Sequence, residues 1–179
     1  MSDPYFFGYG SLVNRQTHAY PDAAQARVKG WRRAWQGTRL REVAFLTAVP
    51  DSESEISGLI AAVPGADWAA LDERERAYAR HPVVPFGHGK PVEPLVQIYA
   101  VEPTHADVGE HPILLSYLDT VIQGYLSEFG EAGALNFFDT TTGWHLPIVD
   151  DRDDPIYPRA TVLTMDERAF VDENLRRIR

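Results

Sequence analysis

The sequence predicts one α+β domain with a mainly antiparallel sheet, or a small barrel, and three helices around it. Two observations predict this fold class: short apolar runs separated by turn signals fill the first third of the chain, and helical periods follow at three later places. A length of 179 residues is typical of one domain with a sizeable core. Because no repeat and no low-complexity linker divides the chain, we expect a single unit over residues 1–179.

The predicted strands are short apolar segments bounded by glycine, proline and polar turn residues. They cover residues 5–7, 27–35, 43–49, 55–63, 83–84 and 95–101. The first leads into a glycine turn, and Pro50-Asp51-Ser52 signals a turn between the third and the fourth. Gly58 inside the fourth segment indicates a bulge or a close approach of another backbone.

Pro64-Gly65 is predicted to end the preceding strand, and the first helix is predicted after it with Asp67 as the N-cap. The spacing of its large side chains places four of them on one stripe: Trp68, Leu71, Glu75 and Tyr78. Three of the four are apolar or aromatic, so this stripe is expected to face the core.

Two further helices are predicted in the second half of the chain. One begins near Pro112, repeats apolar residues with a helical period and ends near Gly130. The last opens with the capping-box pattern Thr164-x-x-Glu167 and ends in basic residues that suit a helix C-terminus. Turn residues and an acidic run occupy residues 133–158 between them.

Composition excludes several classes of function. The absence of cysteine excludes disulfides, thiolate nucleophiles, iron–sulfur clusters and cysteine-bound zinc. No histidine spacing fits a metal site, so no metal is expected. With 17 basic and 26 acidic residues, nucleic acid is not an expected partner. The N-terminal residues do not resemble a secretory signal and no apolar run could span a bilayer, so we expect a cytoplasmic protein without a membrane partner.

Glu75 is the anomalous member of the first helix's stripe, because it is a carboxylate among apolar and aromatic side chains. A buried carboxylate either finds a charged partner or has its pKa raised, and a raised pKa suits general acid/base chemistry. Periodicity alone favours the structural alternative, since ion pairs of that kind are common. In that alternative Glu75 lies at the edge of the stripe and pairs with Arg80 or another arginine.

The glycine turn Gly8-Tyr9-Gly10-Ser11-Leu12 is the second candidate site. Val13 stands where a dinucleotide fingerprint has its third glycine, so such a site is not indicated. Glycines beside a short polar residue let successive backbone N–H groups face one concavity, which can bind a carboxylate or an oxyanion. Taken alone, the turn favours the simpler alternative, in which it only ends the first strand.

In combination these motifs resemble the γ-glutamylcyclotransferase-like family, which includes the AIG2-like and ChaC-like proteins. The resemblance rests on Tyr9-Gly10-Ser11-Leu12 after an aromatic strand and on Leu71-Asp72-x-x-Glu75-x-x-Tyr78-x-Arg80. Segments 48–60 and 116–124 add to it. Residues 131–179 receive no role from the resemblance.

This resemblance implies a small mixed β-barrel flanked by helices and the cyclisation of a γ-glutamyl compound to 5-oxoproline, with release of an amine or amino acid. It implies Glu75 as the general acid/base, residues 8–12 as the substrate loop and Tyr117 as a substrate contact. Tyr78 and Arg80 are expected to support the site. The implied reaction needs no metal or organic cofactor, and a homodimer is suggested by the family alone.

The chemistry agrees with these parts. The substrate's α-ammonium must lose a proton before it attacks its own γ-carbonyl, and Glu75 is the expected base. Backbone N–H groups of residues 10–12 are expected to bind the α-carboxylate, with help from Arg80 or Arg15. Arg76 stands where many relatives have glycine, which places a long cation near the base.

Two other functions stay open at this point. The chain could be a non-catalytic module of the same fold that binds a small molecule or a partner, or it could process a different amide with the same residues. A cavity shared by Glu75 and residues 10–12 favours the enzyme, whereas an arginine pair without a cavity favours the binding module. The loops at 82–94 and 140–143 are expected around the leaving group, and nothing in them identifies it.

Overall fold

The centre of the fold is a six-stranded mixed sheet. In the computed structural model, which describes residues 2–179, its strands are β1 (Tyr5–Gly8), β2 (Ala24–Thr38), β3 (Arg41–Ala62), β4 (Tyr78–Val83), β5 (Val96–Val101) and β6 (Ala106–Asp107). They lie in the order β4-β5-β1-β3-β2-β6. A separate parallel pair joins β7 (Ile113–Leu114) and β8 (Ile148–Val149).

Three α-helices accompany the sheets: α1 (Ala69–Arg74), α2 (Leu115–Thr140) and α3 (Met165–Ile178). The largest apolar cluster joins buried side chains of α2 to those on the facing side of the sheet, so the helix covers that side. A smaller cluster around Phe6 and Leu71 lies between β1 and α1. Within residues 2–179, none of the helices has the length and apolar character needed to cross a membrane.

The sheet is mixed because β1 lies parallel to β5 and antiparallel to β3. It is also curled. Arg27 of β2 and Phe86, in the connection after β4, exchange two backbone hydrogen bonds of 2.9 Å each. This contact brings the edge of the sheet at β4 close to β2, near the opposite edge, so the sheet curls into a half-barrel. The expected α+β class with a mixed, barrel-like sheet is therefore confirmed.

The β2–β3 hairpin is longer than the sequence patterns predict. The prediction of two strands separated by a turn at residues 50–52 is wrong, because β3 is continuous over 22 residues. The register shows Asp51–Ser54 opposite the single residue Gly30, which has a positive φ of 85°. The turn residues therefore form a bulge, in which the Asp51 carboxylate accepts hydrogen bonds from Glu53 N and Ser54 Oγ. Pairing with β2 on both sides of the bulge keeps the strand intact.

Gly58 confirms the close backbone approach that its position in a strand predicts. A Cβ atom at this residue would lie 2.2 Å from the backbone oxygen of Gly8. Leu59, the next residue, is the register partner of Gly8 in the β1–β3 pairing. The start of the glycine turn is thus held directly against β3.

The first helix is shorter than its predicted stripe. α1 ends at Arg74, and Glu75 follows it with φ −104° and ψ 28°. Tyr78 is the first residue of β4 and pairs with Val101 of β5, so its predicted place on the helix is wrong. Pairing along a whole strand of the sheet outweighs the helical spacing of a few residues.

The second helix continues beyond its predicted end. Gly130 adopts a positive φ of 68° inside α2, which interrupts the helical geometry at that residue. The chain then resumes the helix to Thr140, because Phe137 and Phe138 on this last part are buried. The predicted stop at Gly130 is therefore a kink.

The capping box that opens the last helix is confirmed. Thr164 Oγ1 accepts a hydrogen bond from the N–H of Glu167 at 3.2 Å. The Glu167 carboxylate accepts one from the N–H of Thr164 at 2.8 Å. Two of the backbone donors that lack a helical acceptor at the start of α3 are satisfied in this way.

Substitution of Gly58 by alanine tests the contact between β3 and the glycine turn. We expect Gly58→Ala to destabilise the fold by about 1–3 kcal/mol, the usual effect of overpacking, because the new Cβ would overlap backbone rather than a flexible side chain. Urea denaturation measures the difference. Ser57→Ala is the matched control on the same strand, since it keeps the existing Cβ. Equal stability of both variants would contradict the close approach.

Candidate active site

Glu75 lies in the turn between α1 and β4, where its carboxylate lines a cavity of about 110 Å³. The side chain keeps 15% of its surface exposed, and this exposed part faces the cavity. The ordered turn that places it is closed by the hydrogen bond from Glu75 N to Leu71 O and by that from Tyr78 N to Glu75 O. The carboxylate is therefore held at the cavity wall by main-chain contacts.

A smaller neighbouring cavity of about 30 Å³ connects Glu75 to the glycine turn. The predicted loop residues line it as a continuous set, Gly8, Tyr9, Gly10, Ser11 and Leu12, together with Tyr78 and Tyr117. Glu75, Ser11, Tyr78 and Tyr117 border both cavities. The structure thus brings together the predicted glutamate, the predicted loop and both predicted tyrosines.

Buried tyrosines hold the glycine turn in place. Tyr9 is buried, and its hydroxyl donates to the backbone oxygen of Tyr99 at 2.5 Å and accepts from Ala48 N at 3.0 Å. The hydroxyl of Tyr125, on α2, donates to Tyr9 O at 2.9 Å. Main-chain and side-chain atoms of Tyr9 are both fixed, so the position of the turn is set by β3, β5 and α2 together.

The glycine turn leads into a single 3₁₀ turn over Ser11–Val13. The N–H groups of Ser11 and Leu12 come first in this turn and have no acceptor within it. Gly10 allows a close contact at this point, because a Cβ there would lie 2.7 Å from the Tyr117 hydroxyl. The Tyr117 hydroxyl is in turn close enough to receive the N–H of Ser11.

Arg74 connects the glutamate to this loop. Its guanidinium donates to Thr17 O at 2.8 Å, to Thr17 Oγ1 at 3.0 Å and to Ser11 Oγ at 3.2 Å. The Nε atom of the same side chain lies 3.3 Å from Glu75 Oε1. Most of the hydrogen-bonding capacity of Arg74 is therefore used by the loop, and Glu75 has one lateral ionic contact.

Burial raises the pKa of the Glu75 carboxyl above its ordinary value. The nearby charges of Arg74 and Arg159 act in the opposite direction and lower it, with a smaller effect than burial. The protonated and ionised forms are thereby brought closer in free energy than they are for an exposed glutamate. A carboxyl of this kind suits both proton acceptance and proton donation.

Tyr78 and Tyr117, which border both cavities, stay neutral. Burial raises the pKa of Tyr78 and of Tyr117 well above the ordinary value, and neighbouring charges, including Glu75, add to the effect. The Tyr78 hydroxyl donates to Leu46 O at 2.8 Å. These side chains provide a poorly solvated wall around the carboxylate, and none of them competes with it as a base.

Three further lining residues were not identified from the sequence: Arg41, Tyr157 and Arg159. Arg41 begins β3, while Tyr157 and Arg159 belong to a loop before α3. The Tyr157 ring packs edge-on against Tyr117 with a centroid distance of 4.9 Å. The sequence shows an aromatic residue and a cation after the acidic run, but no local pattern indicates that they meet a glutamate 82 and 84 residues earlier.

The arginines expected near Glu75 lie elsewhere. Arg80 pairs with Asp72 at 3.0 Å and covers the Trp68 ring, and it does not line either cavity. Arg15 pairs with Glu128. Arg76 pairs with Glu73 in solvent. None of these three cations lines either cavity. The structural alternative named Arg80 or another arginine as the partner of Glu75, and Arg74 is that other arginine.

The loops expected around the leaving group also lie elsewhere. Residues 82–94 and 140–143 do not line the cavity beside Glu75. Phe86, within the first loop, pairs with Arg27 on the first part of β2. Thr142, within the second, bridges to Ala34 on the last part of β2. Both loops are bound to β2, whereas the cavity is bordered by β3.

Among residues 2–179, no cluster of three or more histidine or acidic side chains could hold a metal ion.

Comparison with known proteins adds to this geometry. A family model described as gamma-glutamyl cyclotransferase, AIG2-like, matches residues 6–118, more than half of the 179 residues. The chain belongs to this family. The segment of this chain that matches the cyclotransferase family contains the glycine turn, Glu75 and Tyr117, and it ends before Tyr157 and Arg159. A search of curated protein sequences found no match.

Solved structures show the same fold for this family member. A gamma-glutamyl cyclotransferase superposes with a TM-score of 0.61 and 13% identity over 96% of this chain and 99% of that one. An uncharacterized protein from Homo sapiens superposes with a TM-score of 0.62 and 14% identity, over 96% of this chain and 99% of that protein. YkqA from Bacillus subtilis superposes with a TM-score of 0.60 and 18% identity. The superposition includes 80% of this chain but only 57% of YkqA. At these identities the likeness concerns the fold.

The raised pKa of Glu75 has a consequence for stability. The folded protein binds this proton more tightly than the unfolded chain, so ionisation of Glu75 destabilises the fold as pH rises from the ordinary glutamate pKa through the raised value. We expect Glu75→Gln to stabilise the protein relative to wild type at pH 8, by about 1.4 kcal/mol for each unit of pKa elevation.

Thermal unfolding of the two proteins between pH 4 and pH 8 measures this difference. The gain of Glu75→Gln should disappear at the acidic end, where the wild-type carboxyl is protonated in both states. Glu73→Gln is the matched control, because Glu73 is an exposed glutamate two residues away. A Glu75→Gln variant that is less stable than wild type at pH 8 would contradict the raised pKa.

Proposed function

We propose that this chain cyclises a γ-glutamyl compound to 5-oxoproline and releases an amine or amino acid, with Glu75 as general acid/base. One observation carries the proposal: a carboxylate whose pKa is raised by burial lines a cavity that continues into the glycine turn. Membership of the cyclotransferase family supports the reaction class. We further propose that residues 1–179 act as one unit, since the cavity is bordered by residues from Gly8 to Arg159.

The proposed reaction needs one base and no co-reactant. The substrate's α-ammonium gives a proton to the Glu75 carboxylate, and the resulting amine attacks the γ-carbonyl carbon. A C–N bond forms, a five-membered ring closes and the carbonyl oxygen becomes an oxyanion. When the carbonyl reforms, the bond to the leaving nitrogen breaks, and that nitrogen takes the proton from Glu75. The ring nitrogen then gives its second proton to the freed carboxylate, which passes it to the departing amine, so the product leaves as an ammonium ion and the ring keeps one N–H. The carboxylate is regenerated, so atoms and charges balance.

The geometry favours each of these steps. Attack within one molecule has a small entropic barrier once the cavity holds the substrate folded. The N–H of Ser11 contacts the Tyr117 hydroxyl, whereas the N–H of Leu12 has no acceptor within the 3₁₀ turn and is the donor we propose for the α-carboxylate or the developing oxyanion. The cavity of about 110 Å³ is well above the roughly 10–15 Å³ that a single water molecule needs, so open space lies beside the Glu75 carboxylate.

A non-catalytic binding module is the second candidate, favoured by the 3.3 Å contact between Arg74 and Glu75. Two observations favour catalysis over it. The cavity is present beside the pair, and burial outweighs the two arginines in setting the pKa of Glu75.

Replacement of Glu75 by glutamine tests the catalytic role. We expect Glu75→Gln to lower kcat/KM by at least about 100-fold, the usual effect of losing a general acid/base. The assay measures 5-oxoproline released from γ-glutamyl amino acids, glutathione and γ-glutamylamines. Glu73→Gln removes the same charge from an exposed position and should retain wild-type activity.

The outcomes separate the two candidates. If wild type turns over none of the three substrate types but binds one of them, the binding module is the function. If Glu75→Gln is as active as wild type, the chemistry does not use this carboxylate and the assignment is wrong.

The pH profile provides an independent test. The base must be ionised, so we expect kcat/KM to fall as pH decreases through the pKa of Glu75 in the free enzyme. Because burial raises that pKa, this acidic limb should lie above the pH range of an ordinary glutamate. A limb at or below the ordinary value would contradict the role of burial.

A further inference from the structure

We propose that a second cleft, between the β2–β3 hairpin and the end of α2, binds a phosphate group through the buried guanidinium of Arg33. This cleft has a volume of about 380 Å³ and shares no residue with the two cavities beside Glu75. Its wall combines three arginines of β2 with residues 53–57 of β3 and two polar residues of α2, Asn136 and Thr140. The site is therefore separate from the proposed cyclotransferase chemistry.

Arg33 is a cation in the interior of the protein, with only 1% of its surface exposed. All four of its hydrogen bonds go to neutral oxygens. The acceptors are Thr141 Oγ1 at 3.1 Å, Ser57 O at 3.3 Å, the Tyr125 hydroxyl at 3.0 Å and Thr140 Oγ1 at 3.0 Å. Among residues 2–179, no carboxylate forms an ion pair with this guanidinium. A buried charge that lacks an opposite charge is costly.

The positive charge of Arg33 persists in spite of this cost. Burial lowers the pKa of the guanidinium, and Tyr125 acts in the opposite direction. An arginine nevertheless stays protonated near neutral pH, because its ordinary pKa is so high. The rings of Tyr125 and Phe137, whose centroids lie 5.2 Å and 4.8 Å from its Cζ atom, offset part of the cost. These rings carry no net charge, so the cation still lacks a counter-ion.

The guanidinium end of Arg33 lies at the wall of the cleft. Two of its acceptors, Ser57 and Thr140, line the same cleft. A guanidinium has five N–H donors, and the four hydrogen bonds use that of Nε, both of Nη1 and one of Nη2. One Nη2–H is thus left without an acceptor in the described part of the chain. An anion in the cleft would supply both the missing acceptor and the missing charge.

The other donors at the wall favour an anion with several oxygens. Arg27 pairs with Glu55 at 3.2 Å, and its other N–H groups remain at the cleft. Arg32 pairs in the same way with Asp51 at 3.3 Å. Asn136 adds an exposed amide from α2. Donors from a strand and from a helix approach from two sides, which suits a tetrahedral phosphate better than a planar carboxylate.

The size of the cleft admits more than a free phosphate ion. A volume of about 380 Å³ lies within the range of small-molecule sites. The phosphate group could therefore come from inorganic phosphate or from an organic phosphomonoester, and the two sources share the same contact with Arg33.

Two exposed positions on the wall allow the charge of the cleft to be changed without disturbing buried contacts. Glu53 is exposed and has no ion-pair partner among residues 2–179. Its carboxylate opposes an anionic ligand, so Glu53→Gln should bind phosphate about two- to fivefold more tightly. Asn136→Asp adds a negative charge on the α2 side and should bind it about two- to fivefold more weakly. Glu73→Gln is the control, because Glu73 is an exposed glutamate outside the cleft.

Isothermal titration calorimetry with inorganic phosphate and with glycerol 3-phosphate measures these affinities, at an ionic strength held constant with sodium chloride. We expect wild type to bind one phosphate group per chain with a dissociation constant of about 1 mM or lower. Tighter binding of glycerol 3-phosphate than of inorganic phosphate identifies an organic phosphomonoester as the ligand, and the reverse order identifies the free ion. Acetate is the control for anion shape, and binding of acetate as tight as that of phosphate would contradict the proposal.

Two arginine variants locate the site. Arg33→Met removes the buried cation and should weaken binding at least about tenfold, the effect of losing a charge-assisted hydrogen bond. Circular dichroism checks its folding, and the two exposed variants test the cleft independently of it. Arg159→Gln removes a cation from the cavity beside Glu75 and should leave the affinity unchanged.

Three results would overturn the proposal. The first is a wild-type protein that binds neither inorganic phosphate nor glycerol 3-phosphate. The second is an affinity that neither Glu53→Gln nor Asn136→Asp changes. The third is loss of binding in Arg159→Gln, which would place the phosphate in the cavity beside Glu75 instead. None of these results bears on the cyclotransferase assay, so the two proposals fail separately.

Discussion

The guanidinium group of Arg74 joins the two segments on which the candidate site is built. It donates to Ser11 and Thr17 after β1 and contacts Glu75 after α1. A cation at this point favours ionisation of the glutamate, while burial opposes it more strongly, and the net result is a raised pKa. The same side chain thus positions the loop against the carboxylate and limits how far burial suppresses its charge. Without this cation, burial would favour the neutral acid still more.

The electrostatics of the site differ from those of the whole molecule. An acidic chain repels anions at long range, yet the cavity wall is rich in arginine, and screening weakens the long-range field at physiological salt. Short hydrogen bonds from backbone N–H groups and guanidinium groups act after contact and are screened much less. An anionic γ-glutamyl substrate is therefore compatible with the net charge of −9. The sequence indicated the backbone donors, and the structure adds the arginines.

Local signals predicted the elements that depend on few residues. The capping box of α3 and the close approach at Gly58 are set by neighbours in sequence or by the missing Cβ of glycine, and both are confirmed. The predictions failed where distant pairing overrides a local pattern. Pairing with β5 places Tyr78 on a strand, and pairing with β2 carries β3 through its bulge. Burial of Phe137 beyond the kink has the same effect on α2.

By itself the sequence determined the fold class, the family, and the pairing of one glutamate with one glycine turn as the candidate site. These follow from apolar periodicity and from motifs a few residues long, which are properties of the chain read in order. Only the tertiary structure decided which cations surround the glutamate. Arg80, five residues from Glu75, turns to Asp72, while Arg159 reaches the cavity from the far end of the chain. The direction of a side chain depends on the packing of distant segments, and sequence spacing does not contain that information.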